Sequence, residues 1–195
     1  MNKKMVICDI DGTLLDCHQG HPYMTEYTQK ILKQLRENGH LLVLATGRCE
    51  AYLHAQLKDL QPDAIITVNG GQIKCNDTYI HQELMKDDEI MEMVDYCEAN
   101  DIEWVIEGEN TCVCHPKQEE LYAFFNQFQV PHKNIYPSLP ENYAVCKLAM
   151  IAKTRDAADA FFERYKDKYS LMRHPSKRSY DIYGKHISKA KAIEK

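Results

Sequence analysis

The sequence predicts an α/β fold in which a parallel sheet is interrupted by an inserted α+β unit. The first 70 residues alternate short apolar runs with amphipathic segments, in the order strand, helix, strand, helix, strand. Continuous apolar strands separated by such helices are typical of a parallel sheet that helices cover on both faces. From about residue 84 the alternation stops, and the helices and strands that follow fit a separate α+β domain.

Apolar content and length identify the three strands of the parallel sheet. They are predicted at residues 5–8, 41–45 and 64–68. A helix is predicted over residues 25–38, with Thr25 as its N-cap and Gly39 just past its end. Leucines at helical spacing indicate a second helix over residues 51–60. These elements complete the strand–helix alternation on which the fold class depends.

A hairpin over residues 72–81 leads from the third strand to the inserted domain. Helices of that domain are predicted at residues 86–99, 118–128 and 155–168. Strands are predicted at residues 102–107, 111–115, 146–153, 171–174 and 179–183, with a loop over 131–140. We therefore assign residues 1–82 to the first part of the core, 83–183 to the inserted domain and 184–195 to the return to the core.

Composition narrows the class of protein. The chain has 195 residues, of which 44% are hydrophobic and 27% charged, with a net charge of −5. These values exclude a collagenous, low-complexity or disordered chain. The acidic balance argues against a nucleic-acid partner, which needs a basic face. We expect a cytoplasmic protein without a membrane partner, because no segment approaches the ~20 apolar residues of a membrane span.

Eight cysteines raise the question of disulfides or a metal. We expect reduced thiols, because the chain shows no secretion signal and no CxxC spacing. Cys112 and Cys114, followed by His115, resemble half of a zinc site. Buried strand cysteines are common, so a zinc or redox protein is the weakest of three functional hypotheses.

Each of the three parallel strands is followed by a polar motif that contains glycine. The motifs are Asp9-Ile10-Asp11-Gly12-Thr13, Ala45-Thr46-Gly47-Arg48 and Asn69-Gly70-Gly71. Each motif alone could be a turn or a helix cap. In a parallel sheet, however, ligands bind beyond the carboxyl ends of the strands, where the three motifs would converge. In the second motif, the Thr46 hydroxyl, the backbone at Gly47 and the Arg48 guanidinium are groups that can bind a phosphate group there.

On these motifs the sequence resembles the haloacid dehalogenase-like (HAD) superfamily of phosphohydrolases. DIDGT at 9–13 is similar to the first family motif, ATGR at 45–48 to the second, and Ile187-Ser188-Lys189 to the third. NGG at 69–71 and the long insertion after it are similar to the Cof-type branch, whose cap domain lies between the second and third motifs. The resemblance implies a Rossmann-like core and an inserted α+β cap.

The resemblance also implies an activity, the Mg²⁺-dependent hydrolysis of a small phosphomonoester such as a sugar phosphate or a nucleotide-like compound. Asp9 would be the nucleophile that forms an aspartyl-phosphate, and Asp11 the general acid and then the base. Thr46 would bind phosphoryl oxygens, and Lys189 would neutralise negative charge. The implied substrate-binding residues are Gly12, Gly47, Arg48, Asn69 and Gly70. Magnesium would be held by the Asp9 side chain and the Asp11 backbone carbonyl.

A fourth family motif, of the type Gly-Asp-x-x-x-Asp, has no counterpart in this sequence. Its aspartates would complete the magnesium shell, so we expect weak Mg²⁺ binding and low or no turnover. Attack by Asp9 on a phosphate brings like charges together, at about 4 kcal/mol per unit pair at about 4 Å and a dielectric constant of about 20. The alternative hypothesis is a pseudoenzyme that binds a phosphate ligand without catalysis.

The missing motif has a structural consequence as well. The sequence resembles a family member that lacks its C-terminal segment, including the strand that would pair with residues 5–8. That strand would then be an exposed apolar edge, which is a template for pairing with another chain. We therefore expect a homodimer or aggregation through this edge.

Overall fold

The computed structural model describes residues 2–140 and 143–195, and these residues form two sheets. The strands of the first sheet, in spatial order, are β1 (Met5–Cys8), β2 (Leu41–Ala45), β3 (Ala64–Thr67), β4 (Gln72–Cys75) and β5 (Thr78–Gln82). Strands β1, β2 and β3 are parallel, whereas β4 and β5 add an antiparallel hairpin. The parallel sheet predicted from the sequence is confirmed.

Helices cover both faces of this sheet, as the continuous apolar strands predict. They are α1 (Glu26–Glu37), α2 (Ala55–Lys58) and, near the end of the chain, α6 (Lys189–Ile193). Alternate residues of β2 point to opposite faces. Leu42 and Leu44 pack in the cluster that contains Leu32 of α1 and Leu57 of α2. Val43 and Ala45 pack on the other side, with Ala192 of α6.

The first helix agrees with its prediction, and the second is shorter than predicted. Thr25 caps α1 through its hydroxyl, which accepts a hydrogen bond from the Thr28 N–H. The helix predicted over residues 51–60 is wrong in extent, because the chain forms a 3-10 turn (Glu50–Tyr52) and then the four-residue α2. The Tyr52 carbonyl accepts from Arg48 instead of from a helical N–H, and Leu53 is extended.

The second sheet has the α+β make-up expected of the inserted domain. Its strands, in spatial order, are β10 (Tyr169–Arg173), β11 (Ser179–Gly184), β9 (Lys147–Ile151), β6 (Glu103–Glu107), β7 (Cys112–Val113) and β8 (Ile135–Tyr136). Its helices are α3 (Asp87–Ala99), α4 (Glu119–Gln127) and α5 (Arg155–Tyr165). Strand β8 lies inside the predicted loop, because its two residues are fixed by parallel pairing with β7 and show no pattern of their own. The domain boundaries stay a prediction.

The two faces of the second sheet differ in chemistry. Ile106, Leu148 and Ile182 belong to a buried apolar cluster that also contains Ile90 of α3 and Phe161 of α5. The residues next to them in sequence point the other way. These are Val105, Glu107, Lys147, Ala149 and Asp181, and all five line a cavity. This charged face is therefore turned toward the space that holds the sequence motifs.

Strand β1 is an edge of the first sheet. Among the described residues it pairs with β2 alone, and Met5 at its start is 56% exposed. Within the same residues, no helix is both long and apolar enough to cross a bilayer.

Candidate active site

A cavity of about 590 Å³ lies between the carboxyl ends of the parallel strands and the charged face of the second sheet. Six of the nine predicted site residues line it: Asp9, Asp11, Gly47, Arg48, Asn69 and Lys189. The other three, Gly12, Thr46 and Gly70, are not among the residues that line the cavity. The convergence of three strand ends at one edge of the sheet therefore takes place as the sequence predicts.

Asp9 and Lys189 meet across the length of the chain. The Lys189 ammonium donates to Asp9 Oδ1 at 2.8 Å, and the same oxygen accepts from the Ile10 N–H at 2.8 Å. Ser188 caps α6 with its hydroxyl and so fixes the start of the helix that carries Lys189. Both side chains remain partly exposed, Asp9 at 46% and Lys189 at 33%. A carboxylate and an ammonium are thus presented together to a ligand in the cavity.

Gly70 explains how Lys189 reaches this position. Its φ of +107° lies in a region that disfavours residues with a side chain. A Cβ atom at Gly70 would overlap the Ser188 carbonyl oxygen and would lie 3.0 Å from the Lys189 nitrogen. Gly70, predicted at the substrate, therefore lies against the backbone that introduces Lys189. Its missing side chain lets the two motifs approach.

Asp11 is held by Arg48 in a two-pronged ion pair. Nε and Nη2 of Arg48 donate to the two oxygens of Asp11 at 2.9 and 2.7 Å. Arg48 is 5% exposed, and its Nη1 also donates to the carbonyls of Tyr52 and Phe128 at 3.2 and 3.4 Å. Burial alone would lower the pKa of Arg48, but the hydrogen bonds and charge of Asp11 raise it overall. Arg48 thus orients Asp11, while its predicted contact with the substrate stays a prediction.

Thr46, Gly47 and Asn69 tie the second motif to the third. Thr46 is fully buried, and its hydroxyl accepts from the Arg48 N–H at 3.1 Å while its carbonyl accepts from the Asn69 N–H at 3.0 Å. A Cβ on Gly47 would lie 2.9 Å from Asn69 Oδ1, so a side chain there would displace the Asn69 amide. The buried Asn69 amide nitrogen has no hydrogen-bond partner among the described residues. A ligand oxygen would satisfy this donor.

Gly12 serves the first motif through its backbone. With φ at +78° it turns the chain after Asp11, and its N–H donates to the Leu15 carbonyl at 2.7 Å. This turn directs the chain away from the strand end.

An ion cluster of Glu107, Lys147, Asp181 and His174 lines the opposite wall of the cavity. The Lys147 ammonium donates to Asp181 Oδ2 at 3.0 Å and lies 2.9 Å from Glu107 Oε2, while His174 lies 3.0 Å from Asp181 Oδ1. Sequence reasoning missed all four residues. Charged residues inside otherwise apolar strands, at positions 147 and 181, were the available signal.

Burial and charge act in opposite directions on the pKa values of the ion cluster. Burial would raise the pKa of Asp181, but the charges and hydrogen bonds of Lys147 and His174 together outweigh it and lower that pKa to about 2. Burial raises the pKa of Glu107, and Lys147 offsets only part of this effect. Burial would lower the pKa of His174, but Asp181 raises it overall. Lys147 is therefore the charge that holds the cluster together.

Comparison with known proteins agrees with this geometry. The sequence profile of the haloacid dehalogenase-like hydrolases, named Hydrolase_3, matches residues 6–195. The chain belongs to this family. The three polar motifs at the strand ends and the whole second sheet lie within the matched residues.

Similar sequences include two proteins provisionally named as phosphatases. One, from Buchnera aphidicola, is 40% identical over 74 residues, which is 35% of this chain and 25% of the relative. YkrA from Bacillus subtilis is 33% identical over 70 residues, or 36% of this chain and 26% of the relative. The matched segment is thus only about a quarter of the length of each relative.

Solved structures extend the HAD likeness to the whole chain. A haloacid dehalogenase-like hydrolase from Bacteroides thetaiotaomicron has a TM-score of 0.81 at 16% identity, over 99% of this chain and 75% of that one. The sugar phosphatase BT4131, described as HAD subclass IIB, has a TM-score of 0.77 at 21% identity, over 99% of this chain and 74% of that one. At such identities the likeness shows the fold, which is the α/β HAD fold.

The HAD family implies a Mg²⁺ ion, so we ask whether the side chains at the cavity could hold one. In the described part of the chain, no group of three or more His, Cys, Asp or Glu side chains is placed to hold a metal. Asp9 and Asp11 line the cavity, but their carboxylates already contact Lys189 and Arg48. Magnesium commonly takes one or two carboxylates and completes its shell with water and phosphate oxygens. The two aspartates fit such an ion, with fewer protein ligands than a dedicated site offers.

Proposed function

We propose that the chain is a phosphohydrolase that acts on a small-molecule phosphomonoester through an aspartyl-phosphate on Asp9. The observation that carries the proposal is the paired presentation of Asp9 and Lys189 in the cavity, with Asp11 fixed nearby by Arg48. An ionised carboxylate needs no base to act as a nucleophile. An adjacent ammonium offsets the charge that builds up during phosphoryl transfer.

In the first step an Asp9 oxygen attacks phosphorus, and the bond from phosphorus to the substrate's alcohol oxygen breaks. Asp11 acts as the general acid and gives a proton to that oxygen, so the alcohol leaves neutral. In the second step Asp11 takes a proton from water, whose oxygen attacks phosphorus and releases phosphate from Asp9. Lys189 balances charge at Asp9, and Arg48 orients Asp11. Magnesium held by Asp9 and the Asp11 backbone carbonyl would supply positive charge that offsets the repulsion between Asp9 and the phosphate.

A sugar phosphate or a nucleotide-like phosphate is the substrate class that we propose. The cavity volume of about 590 Å³ is of the size that encloses a small metabolite. The wall opposite Asp9 combines the ion cluster with the stacked rings of Phe124 and Phe128. Such a wall can contact both hydroxyl groups and a flat ring. The sugar phosphatase among the structural neighbours supports the same class.

Hydrolysis of 4-nitrophenyl phosphate tests the proposal. We expect slow turnover with Mg²⁺, because the Asp9 side chain and the Asp11 backbone carbonyl are the only protein ligands proposed for the metal, and loss of this turnover when EDTA removes the ion. The assay needs high protein concentration and long incubation. Equal rates with and without EDTA would contradict the magnesium requirement, and brisk turnover would contradict the expected weakness of the metal site.

The alternative is a pseudoenzyme that binds a phosphate ligand without catalysis. It is favoured by one observation, which is that the described residues form no metal-ligating group of three or more side chains. Isothermal titration with inorganic phosphate separates the two functions. Phosphate binding without any Mg²⁺-dependent hydrolysis would support the alternative.

We also propose that the chain associates through β1. Met5→Lys is expected to reduce the dimer or aggregate, because a charge on an edge strand opposes strand pairing. Tyr27→Lys on α1 is the matched control, since Tyr27 is also an exposed apolar residue, at 74%. Light scattering at high concentration gives the readout. A wild-type chain that stays monomeric would contradict the proposal.

A cytoplasmic location is proposed on separate grounds. All eight cysteines are free thiols in the part of the chain that the structure describes. Free thiols in this number are typical of proteins kept in a reducing compartment.

A further inference from the structure

The cap touches the second HAD motif through two hydrogen bonds, one from Arg48 Nη1 to the Phe128 carbonyl and one from the ion cluster. The Lys147 ammonium on β9 donates to the Gly47 carbonyl at 3.1 Å, across 100 residues of sequence. Gly47 lies between Thr46 and Arg48, which are the two motif residues with side chains that serve the site. The contact therefore joins the ion cluster of the cap to the loop that carries these side chains.

The ion cluster fixes where this ammonium can point. The Lys147 side chain is 3% exposed, and its two carboxylate partners, Glu107 and Asp181, are 1% and 8% exposed. A buried ammonium is tolerated only when its charge and its donors are satisfied. The ammonium donates to Asp181 and to Gly47, and its charge also faces Glu107 Oε2 at 2.9 Å. The cap thus presents a fixed donor to the core.

The Gly47 carbonyl belongs to a peptide group that is held at both ends. A peptide group is planar, so the Gly47 carbonyl and the Arg48 N–H move together. The carbonyl accepts from Lys147, while the N–H donates to the Thr46 hydroxyl at 3.1 Å. Without the Lys147 contact, the Gly47 carbonyl would no longer be held by a hydrogen bond. The Thr46 hydroxyl would then lose a fixed partner, and the backbone of Arg48 would be less constrained.

We propose that Lys147 is a positioning residue that couples the seating of the cap to the conformation of the second motif. When the cap lies on the core, Lys147 fixes the Gly47–Arg48 peptide, and this peptide orients Thr46 and Arg48 for a phosphoryl group. The consequence for ligand binding rests on the proposed function, whereas the consequence for the backbone does not.

The test removes the ammonium without leaving its partners charged. The variant E107Q/K147M/D181N replaces all three buried charges at nearly constant shape, because K147M alone would leave two buried carboxylates unpaired. K147R keeps a cationic donor and is the conservative rescue. K153M is the matched control, because Lys153 also forms an ion pair on the cap, with Asp101, but at an exposed position.

Hydrogen exchange and phosphate binding give independent readouts. In the triple variant we expect amides of residues 46–48 to exchange about tenfold faster or more, with β9 and β11 unchanged and with phosphate affinity lowered by a similar factor. K153M should match the wild type, and K147R should recover part of both effects. Unchanged exchange at residues 46–48 would overturn the proposal. If amides in β9 and β11 exchanged faster by the same factor as residues 46–48, the proposal would also be overturned, because the ion cluster would then only stabilise the cap. If the wild type binds no phosphate, the proposed function fails while the exchange data still decide the role of Lys147.

Discussion

Asp9→Asn is expected to lower Mg²⁺-dependent hydrolysis of 4-nitrophenyl phosphate on the order of 10³-fold or more. An amide oxygen is a far weaker nucleophile than a carboxylate, and it leaves Lys189 without its counter-charge at 2.8 Å. Because the wild-type rate is itself expected to be slow, the comparison is made by long incubation at high protein concentration.

Asp59→Asn is the matched control for this variant. Asp59 follows α2 as an exposed carboxylate of the same core, so the substitution changes charge equally and leaves the cavity as it is. We expect wild-type hydrolysis from it. Substantial turnover by Asp9→Asn would exclude an aspartyl-phosphate on Asp9 and would redirect the search to another nucleophile.

Gly70→Ala is expected to lower the free energy of unfolding by about 2–4 kcal/mol and to reduce hydrolysis. At φ of +107° the added methyl group is strained, and it overlaps the Ser188 carbonyl oxygen. Relief of the overlap requires Ser188 and the start of α6 to move, which takes Lys189 away from Asp9. Urea unfolding and the phosphatase assay measure the two effects.

Gly20→Ala separates strain from overlap. Gly20 also has a positive φ, at +79°, but none of the described heavy atoms lies within 4 Å of a Cβ placed there. We expect Gly20→Ala to lower the free energy of unfolding by about 1 kcal/mol and to leave hydrolysis unchanged. If the two variants lose the same stability and Gly70→Ala keeps full activity, the close approach of Gly70 to Ser188 does not position Lys189.

The sequence was most informative where local pattern and chain direction decide the structure. The apolar runs of β1, β2 and β3 predict parallel strands, and parallel strands bring their carboxyl ends to one edge. The meeting of Asp9 and Lys189 was implied by the resemblance to the HAD superfamily. Side-chain partners were harder to predict, because the contact of Arg48 with Asp11 depends on how two loops pack.

The ion cluster shows the same limit more strongly. Glu107, Lys147 and Asp181 lie on three strands that are neighbours in space and distant in sequence. Each of these residues by itself is an ordinary charged residue in a strand. Their burial and mutual contact follow only from the strand order of the second sheet. The interruption of the helix predicted at residues 51–60 has a similar cause, because the Tyr52 carbonyl accepts a hydrogen bond from Arg48.

The contact between Asp9 and Lys189 can form only late in synthesis of the chain. The two residues are 180 positions apart. At roughly 5–20 residues per second, the ribosome adds this stretch in roughly 10–40 s. During that interval the nascent chain carries the Asp9 carboxylate without the ammonium that balances it. The charge of the site is therefore neutralised only after the entire cap has been synthesised.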